Sequence, residues 1–205
     1  MSLGETSDTI IPSLPVCVPD ETKELLNRMA SQGLAVKYKF LRKPCIGSNK
    51  MVAVELIFEN TSSSIMNGIS VGSAQLQSGM KMNASVSISQ LAAGGSISST
   101  VGIDFNDTLQ PAKFSICIDT GRQYPVKIAP VVGELIEAGR ISESGFLALQ
   151  KKLTGMHENA SKTTTSASLN AIKTAILQAI NVRPIDSSDS SYLRFAALTL
   201  SLIHI

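Results

Sequence analysis

A chain of 205 residues with 43% hydrophobic and 17% charged side chains has ordinary globular composition, which excludes a mainly disordered chain and allows one large domain or two small ones. A net charge of +2, 4% aromatic residues and no Trp exclude a strong field for nucleic acid or anionic lipid, and leave few rings for base stacking or an aromatic cage. Cys17, Cys45 and Cys117 have neither disulfide-framework nor zinc spacing, residues 1–10 lack signal-peptide regions, and no apolar run reaches the ~20 residues of a membrane helix, so a cytosolic setting is expected.

Residues 1–19 are poor in charge and carry Pro12, Pro15 and Pro19, which suits a linker. Asp20 is placed to cap a short helix with Leu25, Leu26 and Met29 on its apolar face and Gly33 as its left-handed stop. Strand signals follow in series. Leu34, Val36, Tyr38 and Phe40 alternate with Ala35, Lys37 and Lys39, and Val52, Val54, Leu56 and Phe58 repeat the pattern before a turn at residues 60–64. Residues 65–71 and 79–88 read as weaker strands. Residues 96–105 place Ile97, Val101, Ile103 and Phe105 on one face, Phe114, Ile116 and Ile118 form the next strand, and Tyr124, Val126 and Ile128 return after Gly121. Single-face alternation broken by Gly, Asn and Ser turns predicts a two-sheet sandwich, with a closed barrel as the alternative.

Beyond Pro130 the pattern becomes helical. Ser142 is placed to cap a helix with Phe146, Leu147, Leu149 and Leu153 on its apolar side and Gly155 at its end. A polar connection over 157–166 leads to a stronger helix over 167–180, with Leu169, Ile172, Ile176 and Ile180 on one stripe and Pro184 beyond it. Residues 193–200 read as a strand. The expected organisation is a linker over 1–19, a sandwich over 20–138 and an incomplete α/β unit over 139–199, whose two helices have too few strands to cover them.

Met80-Lys81-Met82, Gly102-Ile103-Asp104-Phe105, Val132-Gly133-Glu134-Leu135 and Arg194-Phe195-Ala196-Ala197 resemble, in order and spacing, the C-terminal appendage, or ear, of the beta subunit of adaptor protein complex 3. The resemblance implies a mainly β fold, an immunoglobulin-like β-sandwich followed by a truncated α/β platform subdomain. It also implies a non-enzymatic appendage that recruits accessory proteins during intracellular, vesicle-mediated sorting to lysosomes and related organelles. The implied partners are accessory or coat proteins, and other adaptor subunits through a helical-repeat trunk absent from this chain. The implied location is cytoplasmic, peripheral on Golgi, endosomal and vesicle membranes, with membrane association only through the coat and no nucleic acid. Related clathrin-adaptor ears carry a Trp at the centre of a peptide pocket on the first platform helix. Gln150 falls near that place, so neither the pocket nor its ligand motifs is expected. Residues 200–205, Leu-Ser-Leu-Ile-His-Ile, match one reading frame of a common transposase sequencing adaptor and are expected to be foreign, with the natural product continuing beyond Thr199.

No constellation for catalysis, cofactor or metal emerges, and the ligand surface stays unassigned. His157 beside Glu158 reads as solvated. Asp104, Asp107 and Asp119 lack the dense oxygen ligands of a calcium site, and Gly94-Gly95 precedes a strand and reads as a hairpin turn. Lys37, Lys39, Arg42 and Lys43 read as a solvated strand face before a basic docking face, and Ser62-Ser63-Ser64 as a turn before a phosphorylation site. Glycosylation triplets begin at Asn60, Asn83, Asn106 and Asn159; they support the alternative function, an extracellular immunoglobulin-like adhesion or receptor domain. An enzyme ranks third.

Overall fold

The computed structural model describes residues 9–45, 48–119 and 121–200, which fall into two compact units. The first two-residue strand, β1 (Ile11–Pro12), belongs to the smaller unit. The larger unit, residues 18–135, holds β2 (Lys23–Leu26), β3 (Leu34–Cys45), β4 (Ser48–Asn60), β5 (Met66–Gln75), β6 (Lys81–Asn83), β7 (Ser87–Leu91), β8 (Ser96–Asp104), β9 (Ala112–Ile118) and β10 (Arg122–Ile128). They form two antiparallel sheets, ordered β2-β3-β4-β8-β6 and β10-β9-β5-β7. The protein is mainly β, with this sandwich as its principal body.

Alternation builds the sandwich core. Val36, Val54, Leu56, Phe58, Val101 and Ile103 from one sheet meet Ile69, Ile88, Phe114, Ile116 and Ile128 from the other in one buried cluster. Each such side chain contributes about 1.5–3 kcal/mol on burial. The outward pairs are minor by comparison: Lys37–Glu59 at 2.9 Å is partly exposed, and pairs of that kind are worth about 0–1 kcal/mol.

Three expectations change. The helix expected after Asp20 is instead β2, because pairing with β3 (Lys23 opposite Tyr38, Leu26 opposite Val36) buries Leu26 against the sheet, which an isolated turn of helix does not do. Gly33 is left-handed (φ 101°), as expected, but it ends a turn, and Met29 is exposed. The single strand expected over 79–88 is split: β6 pairs with β8 and β7 with β5, so the chain crosses from one sheet to the other there. Ile97 is exposed, although Val101, Ile103 and Phe105 are buried as expected.

Asn60 joins the two sheets at one end. Its side-chain amide donates to the carbonyls of Ser64 (2.8 Å) and Leu91 (3.1 Å), and its carbonyl oxygen accepts from the Ser62 amide (3.0 Å) and hydroxyl (2.7 Å). The residue is 1% exposed, so its amide nitrogen is already committed and no glycan fits there in the folded protein. Ser62 has the turn role expected of it.

Elsewhere in the sandwich, the β3 register shifts between Phe40 and Pro44, and Arg42 takes a left-handed φ of 50°. Its guanidinium points inward to Glu134, Nε lying 2.9 Å from both carboxylate oxygens and Nη2 2.6 Å from Oε1. The two side chains are 1% and 7% exposed, so Arg42 is no part of a basic surface.

The smaller unit takes residues through Cys17 together with Ile136–Thr199. β11 (Ile136–Arg140), α1 (Glu143–Gln150), α2 (Leu169–Ala179), β12 (Arg183–Pro184) and β13 (Phe195–Thr199) lie here, and the antiparallel sheet runs β1-β11-β13-β12. Two of these strands come from residues that sequence reasoning assigns elsewhere. Ile11 and Pro12, expected in a linker, pair with Arg140 and Gly139, and residues 136–138, expected in the sandwich, pair with β13. Ser142 caps α1 through Gly145 N (3.1 Å), and Ser168 caps α2 through Ala171 N (3.3 Å). α1 ends at Gln150, ahead of Gly155, which lies in a separate 3-10 turn. The unit's apolar cluster is small: Ile141, Ile185 and Ala196 are buried, with Ile10, Phe146 and Leu149 against them. No residue of α2 is fully buried. Of the segment 200–205, residues 201–205 lie outside the described residues.

Two outcomes follow from these contacts. Replacing Glu134 by Gln leaves a buried guanidinium without its charge partner and lowers stability by about 3–5 kcal/mol, whereas Arg42→Met with Glu134→Leu recovers most of the loss; urea unfolding measures both. Residues 150–171 are exposed throughout, so trypsin cuts first at Lys151, Lys152 or Lys162 and spares Lys37 and Lys39 in β3. Mass spectrometry of an early digest reads the order, and early cleavage within β3 contradicts it.

Candidate functional site

Among the described residues no group of His, Cys, Asp and Glu is arranged to hold a metal. Asp104 accepts from the amide of Asn106 (2.9 Å), a turn role, and Asp119 lies in the separate turn after β9. His157 is exposed in its 3-10 turn. Gly94-Gly95 links β7 to β8, which lie in different sheets, so the turn is a crossing between sheets and not the expected hairpin. Lys37 pairs with Glu59, and Lys39 approaches Asp20 (3.5 Å) and Glu55 (3.8 Å), the arrangement of a solvated face whose charges are matched. Gln150 is exposed at the last position of α1.

In the smaller unit, polar contacts converge on Glu143 in the first turn of α1. Its carboxylate accepts from Ser187 Oγ (2.7 Å), Ser188 N (3.0 Å) and Arg194 Nη1 (3.1 Å), and Arg194 also meets Ser187 Oγ and lies over the Tyr192 ring (5.2 Å to its centre). The Ser187 hydroxyl first, then the Ser188 amide, with help from Arg194, hold the Glu143 carboxyl below the usual glutamate range. Both carboxylate oxygens are engaged by the loop it fastens, which makes the cluster structural.

The sandwich carries a different surface. With Phe114, Ile116, Val126 and Ile128 turned inward, Lys113, Gln123 and Lys127 are left outside. Lys113 stands directly opposite Lys127 across the β9–β10 pair and opposite Gln75 on β5. These residues line a groove of about 660 Å³ beside β2, where Leu25 and Pro125 add apolar surface and Glu24 is the single acidic lining residue. β2 and β10 are edge strands of their sheets. Pro125 has no N–H to give to a ladder, and β2 is four residues long with a register shift, so both edges resist the addition of a further strand. Sequence reasoning did not single out Lys113 or Lys127; the available signal was their outward parity on two successive strands.

The Glu143 cluster has a definite pH response. Its depressed carboxyl contributes stability that is present above the ordinary glutamate value of 4.5 and is lost as pH falls through its own lower one. The Ser188 amide resonance therefore holds its neutral-pH position to below pH 4.5 and moves only under stronger acid, as an NMR titration shows; movement centred above 4.5 contradicts the contacts.

Comparison with known proteins gives a consistent result. Residues 1–110 match the family model for the C-terminal part of the clathrin-adaptor complex-3 beta-1 subunit, and residues 133–204 match the model for the C-terminal domain of AP-3 complex subunit beta-1. The chain is 40% identical over 204 residues to AP-3 complex subunit beta-1 of Mus musculus, covering 98% of this chain and 18% of that protein. It is 37% identical over 204 residues to the Homo sapiens protein of the same name, with the same coverage. It is 36% identical over 200 residues to AP-3 complex subunit beta-2 of Mus musculus, covering 96% of this chain and 18% of that protein. The yeast GGA1 GAE domain is similar at a TM-score of 0.36 and 15% identity, over 54% of this chain and 96% of that one. The chain thus spans less than a fifth of the curated relatives it matches. With both models matching in chain order and the similarity running nearly end to end, the chain belongs to the family formed by the C-terminal regions of adaptor complex-3 beta subunits.

Proposed function

We propose that this chain is the ear of an adaptor beta subunit that recruits accessory proteins onto a vesicle coat, in sorting towards lysosomes and related organelles. The observation that carries the reading is 40% identity over 98% of the chain to an AP-3 complex subunit. Membership in an adaptor complex implies other subunits, which this reading joins through a trunk outside the chain. It places the protein at the cytoplasmic face of Golgi, endosomal and vesicle membranes, held there by the coat. An adaptor appendage is a non-enzymatic kind of protein. Recruitment then depends on surface complementarity and not on a reacting group. The extracellular alternative finds no support in the relatives, and one of the triplets that suggested it begins at the buried Asn60.

The test replaces the endogenous beta subunit in cells with a version lacking this region. The shortened subunit still assembles with its core partners, but a lysosomal membrane protein accumulates severalfold at the cell surface, measured by antibody uptake. Normal sorting by an assembled, shortened subunit overturns the reading.

A further inference from the structure

We infer that the groove beside β10 docks an acidic, extended peptide segment of a partner protein through Lys113 and Lys127; this rests on the recruiting role proposed above. Three observations point the same way. Lys113 and Lys127 are direct cross-strand partners on the outward face, an arrangement that costs stability because like charges stand opposite one another. Among the described residues neither ammonium is in an ion pair, while Lys37, Lys39, Arg42 and Arg194 all are. The groove these lysines line is roomy, at about 660 Å³, and has apolar surface from Leu25 and Pro125.

The geometry also selects the manner of binding. Pro125 and the short, irregular β2 discourage a ligand strand from adding to either edge, so main-chain pairing is not the source of affinity. Carboxylates placed between two facing ammonium groups relieve their repulsion, and one apolar side chain beside them fits against Leu25 and Pro125. Gln75 and Gln123 supply neutral hydrogen-bonding groups at the flanks. With Glu24 the single acid in the lining, a basic or neutral peptide brings no relief of the lysine repulsion.

The probe is a fluorescein-labelled peptide, Glu-Glu-Asp-Leu-Asp-Glu-Glu, titrated against the full 205-residue chain by fluorescence anisotropy. Saturable binding with a Kd of about 10–100 µM is expected, weakening as salt is raised. Lys113→Glu and Lys127→Glu each weaken it by about tenfold or more, and Lys81→Glu on the other sheet changes it by less than about twofold. Folding is read separately. Each groove variant turns a like-charge pair into an opposite-charge pair, so its Tm stays level or rises by about 1–3 °C while binding is lost. Equal binding by wild type and both groove variants overturns the proposal, as does binding of phosphatidylserine vesicles without binding of the peptide. If the sorting test above succeeds while this titration fails, the adaptor reading stands and recruitment uses another surface.

Discussion

The sandwich depends on one constraint. Two sheets bury every second residue against each other, and the chain must pass between them without leaving a polar group stranded in the core. Asn60 meets this at one crossing, because a single buried amide uses both its donor and its acceptor to hold the residue 61–64 turn and the end of β7. Arg42 and Glu134 meet it where the chain leaves the sandwich, with a guanidinium and a carboxylate matched in the fork geometry that offsets much of their desolvation. The apolar core supplies most of the stabilisation. Asn60 holds the end of β4, and the Arg42–Glu134 pair holds the irregular part of β3.

What the sequence makes legible follows from the range of the forces involved. β3, β4, β8, β9 and β10 read directly, because alternation records which face is buried and needs no knowledge of the partner strand. β2 reads as a helix because Leu25, Leu26 and Met29 also satisfy a helical face, and only the distant strand at Val36 decides between the two. The break between β6 and β7 is hidden for a similar reason: Met80, Val86 and Ile88 are all buried, and the change of sheet between them leaves no mark on hydrophobic period. β1 and β11 escape because their partners are distant in sequence: β1 pairs with β11 across most of the chain, and β11 pairs also with β13.

The motifs that carry the family resemblance turn out to be structural. Glu134 of Val132-Gly133-Glu134-Leu135 is the buried partner of Arg42, and Ile103 and Phe105 of Gly102-Ile103-Asp104-Phe105 are core. A Cβ at Gly102 would lie 2.4 Å from Cys45 Sγ, so that glycine permits a close approach. Arg194 of the last motif fastens Glu143, and Ala196 is buried. Arg42 itself is open to reading, since it continues the inward parity of Leu34, Val36, Tyr38 and Phe40; its charge argues for the surface, and the parity prevails. Short sequence matches therefore identify the family through residues that hold the fold, and they say little about which surface it uses.

The distinction between matched and unmatched charge leads from fold to surface. Lys37 and Lys39 already face Glu59, Glu55 and Asp20, so an incoming carboxylate there only exchanges one partner for another. At Lys113 and Lys127 it exchanges repulsion for attraction. The gain is largest where the folded protein has left an electrostatic cost in place, and on this sandwich the cost stands beside a groove with apolar walls. Under the recruiting role proposed above, binding draws on free energy not already used in folding, and the facing lysines of β9 and β10 are where this sandwich leaves such a cost unrelieved.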